Sequence, residues 1–178
     1  MKKSGRCHTS NSKDWCTPPK IVDAVRMFLG GISFDPCSNK YSIVNAATEC
    51  LLPDRDGLKV EWNYPTIFVN PPYGRDRDSK TSIYDWIKKC SETREKFNSK
   101  IIALIPVATN TGHWKKYIFP KADAICFLKD TRLKFLDKGS ESNKGAPMAC
   151  SLIYWGPYAP HFRDWFSKDF GYVVLLDN

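Results

Sequence analysis

An α/β domain built on a largely parallel sheet is the fold class the sequence predicts, and three observations carry it. Apolar runs recur at Ile32–Asp35, Ile67–Asn70, Ile101–Ile105, Ala124–Leu128, Ala149–Trp155 and Tyr172–Leu176. Runs with little polar alternation suit strands buried on both faces. Amphipathic stretches at helical spacing fall between several of them, as crossover helices must in a parallel sheet. At 178 residues the chain suits one domain, which buries roughly 70% of its unfolded surface.

Taken in order, residues 1–14 are polar and predict a flexible segment, leaving 15–178 as a single domain. Thr17-Pro18-Pro19 reads as a helix start, with Thr17 as N-cap and Pro18 at the first helical position, where a missing N–H costs nothing. Ile21, Val22, Val25, Phe28 and Leu29 continue at helical spacing until Gly30-Gly31 stops them. Ile83, Trp86, Ile87, Cys90 and Phe97 mark the apolar stripe of a second helix, so Trp86 belongs to the core. Thr111–Phe119 predicts a further helix. The polar stretches 74–81 and 137–145 read as surface loops suited to contacting a partner.

The net charge of +8 favours an anionic partner such as nucleic acid. No apolar run approaches the ~20 residues of a membrane span. The basic N-terminus lacks the apolar stretch of a secretory signal. Seven cysteines without a C-x-x-C pair predict reduced, buried thiols in a cytoplasmic protein, not a disulfide framework or a zinc site. His8, His113 and His161 have no spacing that suggests a metal or a triad.

Asn70-Pro71-Pro72-Tyr73 ends an apolar strand, where ligands of α/β sheets bind. An exocyclic amine on a nucleobase is a poor nucleophile because its lone pair is delocalised into the ring. The Asn70 side-chain carbonyl and the Pro71 main-chain carbonyl can each accept one of its N–H groups, which pushes the nitrogen towards sp³. Two prolines with fixed φ hold that carbonyl with little reorganisation. Tyr73 offers a ring face for a planar group, worth about 1–3 kcal/mol per base. This chemistry needs no metal.

With these residues in place, the sequence resembles S-adenosylmethionine-dependent amino-methyltransferases, most closely the phage-encoded Dam-type DNA adenine-N6 methyltransferases. The resemblance runs from Trp15 to about Tyr154 with its pieces in family order. Trp15-Cys16-Thr17-Pro18 resembles the opening W-x-T-P beside the methionine end of the cofactor. Phe34-Asp35-Pro36-Cys37-Ser38 resembles the first cofactor motif, and Asp56-Gly57-Leu58 with Trp62 the D-G-L…W element. Asn70-Pro71-Pro72-Tyr73-Gly74 is the catalytic motif of the resemblance. Ile105–Thr109 and Thr131–Phe135 resemble the later P-x-x-T and R-L-x-F elements.

The resemblance implies a Rossmann-like methyltransferase fold, mostly parallel with an antiparallel C-terminal strand, and shortened between the first cofactor motif and Asn70. Only 34 positions separate Asp35 from Asn70. It implies S-adenosyl-L-methionine as cofactor, held by Thr17, Asp35, Pro36, Cys37, Asp56 and Leu58. Asp35 then faces the ammonium or sulfonium side, and Asp56 the adenine amine unless Asp56-Gly57 is only a turn. Thr17 either binds the cofactor carboxylate at a helix N-terminus or is only an N-cap. Ser38-Asn39-Lys40 replaces the usual glycines, and Glu49 and Asp54 both remain candidates for the ribose. Trp15 and Trp62 pack around the pocket.

The substrate implied is double-stranded DNA, with a flipped adenine stacked on Tyr73 and, from a later segment, Phe135, unless Phe135 belongs to a core strand face. Arg75, Arg77, Lys80 and Lys144 are available for phosphates or base edges. An RNA adenine or protein-glutamine methyltransferase, or a non-catalytic DNA-binding remnant of the fold, are the alternatives.

Overall fold

The computed structural model of the chain describes residues 15–51, 54–76, 80–130, 133–141, 146 and 148–177. Segment 1–14 and residues Arg77, Thr131, Arg132 and Lys144, all singled out from the sequence, lie outside them.

Seven strands form one mixed sheet: β2 (Phe34–Ser38), β3 (Thr48–Leu51), β4 (Thr66–Val69), β5 (Lys100–Pro106), β6 (Ala124–Leu128), β9 (Cys150–Trp155) and β10 (Gly171–Leu175). Their spatial order is β10-β6-β9-β5-β4-β2-β3. β3, β2, β4 and β5 pair in parallel. β9 runs against both of its neighbours, β5 and β6, and β10 runs against β6. The C-terminal strand is thus antiparallel, and β9 is a second reversed strand that the apolar runs did not announce. A small second sheet joins β1 (Trp15–Cys16) to β7 (Leu136–Asp137), and β7 to β8 (Ser140–Glu141).

Three helices, α1 (Pro19–Leu29), α2 (Ile83–Phe97) and α3 (Ala159–Phe166), and a π-helical turn at Trp114–Ile118 flank the main sheet. Successive residues of the central strands point to opposite faces, and both faces are covered. Phe68, Ile102, Leu104 and Leu152 pack in one core with Val22 and Val25 of α1 and Phe162 and Phe166 of α3. Ile67, Val69, Ile101 and Ile153 pack in the other with Trp86, Ile87 and Cys90 of α2 and with Trp114. Trp86 is core, as its helical spacing predicts.

Several boundaries differ from the sequence reading, each for a local reason. Helix α1 begins at Pro19, with Pro18 as its extended N-cap (ψ 146°). A residue before proline is held out of the helical region, so Pro18 cannot be helical and Thr17 falls outside the cap. β2 continues to Ser38 because β3 pairs alongside it, with a register shift between Asp35 and Ser38. Pro36, which has no N–H to donate, sits within that shift. No helix lies between β2 and β4 among the described residues. Part of the predicted loop 137–145 is a hairpin: Lys138 (φ 50°) and Gly139 (φ 77°) both take positive φ, as a two-residue hairpin turn requires.

Candidate functional site

The sheet order makes β2 and β4 neighbours, so the carboxyl ends of both strands open on one place. A narrow cleft there is walled by Trp15, Thr17, Asp35, Cys37, Ser38 and Asn70, with Cys16, Asn39, Ser42 and Val44 completing it. Residues 35 and 70 meet because β2 and β4 are neighbours, and Thr17, next to β1, is tied to them by a hydrogen bond from Asn70.

Asp35 is 3% exposed. Burial pushes its carboxyl up to about 7, and Glu49, its register partner on β3, adds to the rise. A hydrogen bond from the Cys37 N–H (3.0 Å) opposes it. Among the described residues no Lys, Arg or His forms an ion pair with Asp35. The Cys37 thiol and the buried Ser38 hydroxyl stand beside the carboxyl and oppose the rise as well.

Asn70 is held on both sides. Its Nδ2 donates to Thr17 Oγ1 at 3.0 Å, and its Oδ1 accepts from the Tyr73 hydroxyl at 3.1 Å. The same hydroxyl lies 3.2 Å from the Leu104 carbonyl, so its single proton serves two acceptors. Burial raises the Tyr73 phenol well above its ordinary range, so that proton stays on. Of the two prolines between them, Pro71 is buried and Pro72 exposed. The Tyr73 ring meets Phe135 edge to face, with centroids 6.0 Å apart and planes at 77°. Phe135 is 7% exposed and belongs to the α1-side core.

The D-G-L…W stretch packs against this cleft from outside. A Cβ at Gly57 would collide with the Pro36 carbonyl oxygen, so only glycine lets the turn approach β2. The Trp62 indole donates to Gly57 O at 2.8 Å and packs against Phe34 and Trp86. Asp56 accepts from the Leu58 N–H (3.0 Å) and pairs with Lys59 (3.3 Å). Leu58 lines a separate groove with Thr81, Asp85, Lys88, Lys89 and Glu92.

The structure thus gathers Thr17, Asp35, Cys37 and Asn70 in one cleft, and sets Asp56 and Leu58 behind its β2 wall. Arg75 and Lys80 are exposed beyond Tyr73, where the Asp76 N–H closes the loop on Thr81 O. Ser38 closes the first cofactor motif of the resemblance and does line the cleft, whereas sequence reasoning missed the Ser42 and Val44 walls, whose only signal was their place soon after β2. Two features of α1 weaken a helix-terminus anion site: Pro18 and Pro19, its N-cap and first residue, carry no N–H. Six of the seven cysteines are described, all free and five buried. No cluster of three or more His, Cys, Asp or Glu capable of holding a metal, and no helix long and apolar enough to cross a membrane, occurs among the described residues.

At the ends of two parallel strands of an α/β sheet, a buried carboxyl group and a side-chain amide therefore share one cleft. The chain belongs to the DNA N-6-adenine-methyltransferase (Dam) family, whose model matches residues 5–165. It is therefore an adenine-specific DNA methyltransferase, and of the substrates the sequence left open the family selects adenine in DNA. A comparison with curated proteins finds no match.

Proposed function

We propose that the chain transfers the methyl group of S-adenosyl-L-methionine to N6 of an adenine flipped out of double-stranded DNA at a defined sequence. The observation that carries the reading is the single cleft shared by Asp35 and Asn70. The residues present fit the amino-acid end of that cofactor. Asp35 is a buried carboxylate lacking a described cationic partner, which an ammonium or sulfonium would supply. The buried Ser38 hydroxyl beside Asp35 offers a further polar contact. Bound there, the cofactor supplies an electrophilic methyl group carried on a sulfonium. Glu49, beside Asp35 on β3, is the better ribose candidate, since Asp54 is exposed. Asp56 and Leu58 take the adenine end, a role supported by the docking of Gly57 on Pro36.

Asn70 Oδ1 and the Pro71 carbonyl accept the two N–H bonds of the target amine and aim its lone pair at the methyl group. Target entry requires the Tyr73 side chain to move. A base sandwiched between two rings needs them parallel and about 7 Å apart, twice the 3.4 Å stacking repeat, whereas Tyr73 and Phe135 are in edge contact. Turning Tyr73 releases its hydroxyl from Asn70 Oδ1, which frees the acceptor as it exposes the stacking face. The adenine is flipped because its amine is otherwise paired within the duplex. Arg75 and Lys80, together with Arg77 and Lys144, hold phosphates or read base edges from segments 74–81 and 137–145.

Incubation with labelled cofactor and unmethylated DNA, RNA or protein tests the reading. N6-methyladenine in DNA is the expected product, and label in RNA or protein alone would overturn it. Asn70→Ala lowers turnover at least about a hundredfold, as loss of a transition-state hydrogen-bond partner does, with cofactor affinity little changed.

A further inference from the structure

Thr17 stands between the two halves of the site. It is 3% exposed, lines the cleft with Asp35, and accepts the Asn70 Nδ2–H from 53 positions away. Its own hydroxyl proton reaches no acceptor among the described residues. Both partners of the Asn70 amide, Thr17 and Tyr73, are hydroxyls, which can donate or accept. They therefore leave the amide two orientations. In the reversed one Nδ2 faces Tyr73, which then gives its proton to Leu104 O, and Oδ1 faces Thr17. That orientation offers a donor where the target amine needs an acceptor.

An anion in the cleft breaks the tie. Once the Thr17 hydroxyl donates its proton to a carboxylate, its oxygen can only accept, and Asn70 must give it Nδ2. We propose that Thr17 is a positioning residue: its hydroxyl, committed to the cofactor carboxylate, fixes the Asn70 amide with Oδ1 towards the target amine. The inference rests on Asn70 as the acceptor of that amine. The two prolines that open α1 remove N–H groups that would otherwise compete for the carboxylate, which directs it to the hydroxyl.

The test compares Thr17→Val, which keeps shape and loses the hydroxyl, with Thr17→Ser, which keeps the hydroxyl. Turnover at saturating S-adenosylmethionine is measured on unmethylated DNA of mixed sequence. Affinity for S-adenosylhomocysteine, which carries the same amino-acid end, is measured by calorimetry. Thr17→Val lowers kcat about tenfold and weakens S-adenosylhomocysteine by a similar factor, the scale of one hydrogen bond, while Thr17→Ser stays near wild type in both. In an Asn70→Ala background Thr17→Val lowers kcat no further yet still weakens the product. Wild-type kcat in Thr17→Val, equal losses in Thr17→Ser, or a further kcat loss on top of Asn70→Ala would each overturn the inference. Wild-type turnover in Asn70→Ala alone would instead overturn the assignment of Asn70. Melting temperatures accompany each variant, and Thr17→Ala replaces Thr17→Val if the latter does not fold.

Discussion

Asp35 binds its proton more tightly in the folded protein than an ordinary carboxyl does, because burial disfavours its charge. Between the unfolded value near 3.8 and about 7, the folded state keeps a proton that the unfolded chain has released. The Asp35 contribution to stability is therefore full below about pH 4, falls as pH rises through that window, and levels off above it. Asp35→Asn removes the penalty: its melting temperature should exceed wild type at pH 8 and match it near pH 4. The same variant should bind the cofactor less well. Cation binding to Asp35 requires the charged form, so wild-type affinity rises with pH to about 7 and flattens beyond. Calorimetry in buffers of different ionisation enthalpy should show a proton released on binding at pH 6; no released proton would remove Asp35 from the cation site. Asp35 and Asn70 were legible as chemistry because their types and motif context name it. The Thr17–Asn70 bond was not, since nothing in either residue's neighbourhood points across 53 positions.

At the scale of elements, the D-G-L…W stretch works as a buttress. Gly57 touches the Pro36 carbonyl and Trp62 clamps the Gly57 carbonyl from the far side. Gly57→Ala should cost about 1–3 kcal/mol by overpacking and should weaken cofactor binding by displacing β2, measured by urea unfolding and calorimetry. Wild-type values in both would mean that the turn does not bear on the strand. Legibility at this scale followed physical contrast. β4, β5, β6 and α2 were readable because continuous apolar runs or a clean helical stripe have few rivals. β3 (Thr48–Leu51) was missed because it is short, half polar and stabilised by pairing with β2. α3 carries only Phe162 and Phe166 as a helical signal, within a stretch that starts after Gly-Pro. The two-residue strands β1, β7 and β8 exist only through their pairing with one another. What the sequence hid is what tertiary contact creates.

For the whole molecule, the +8 charge should appear as salt dependence. DNA affinity measured between roughly 50 and 200 mM salt should fall with a log–log slope of about −0.9 per neutralised phosphate. Replacing Arg75 and Lys80 by Ala should flatten that slope by about two such contacts. An unchanged slope would put the phosphates on another face. The two-sided sheet has one more consequence, for how the molecule comes apart. Cys126 and Cys150 lie in the core under α1 and α3, and Cys50 and Cys90 in the core under α2. Burial raises all four thiols, which keeps them protonated and shielded while their layer is closed. Each pair is therefore a clock for its own side. Alkylation under native conditions, read by mass spectrometry, should modify the two pairs in step if the layers open as one unit. A faster pair would identify the side of the sheet that breathes first.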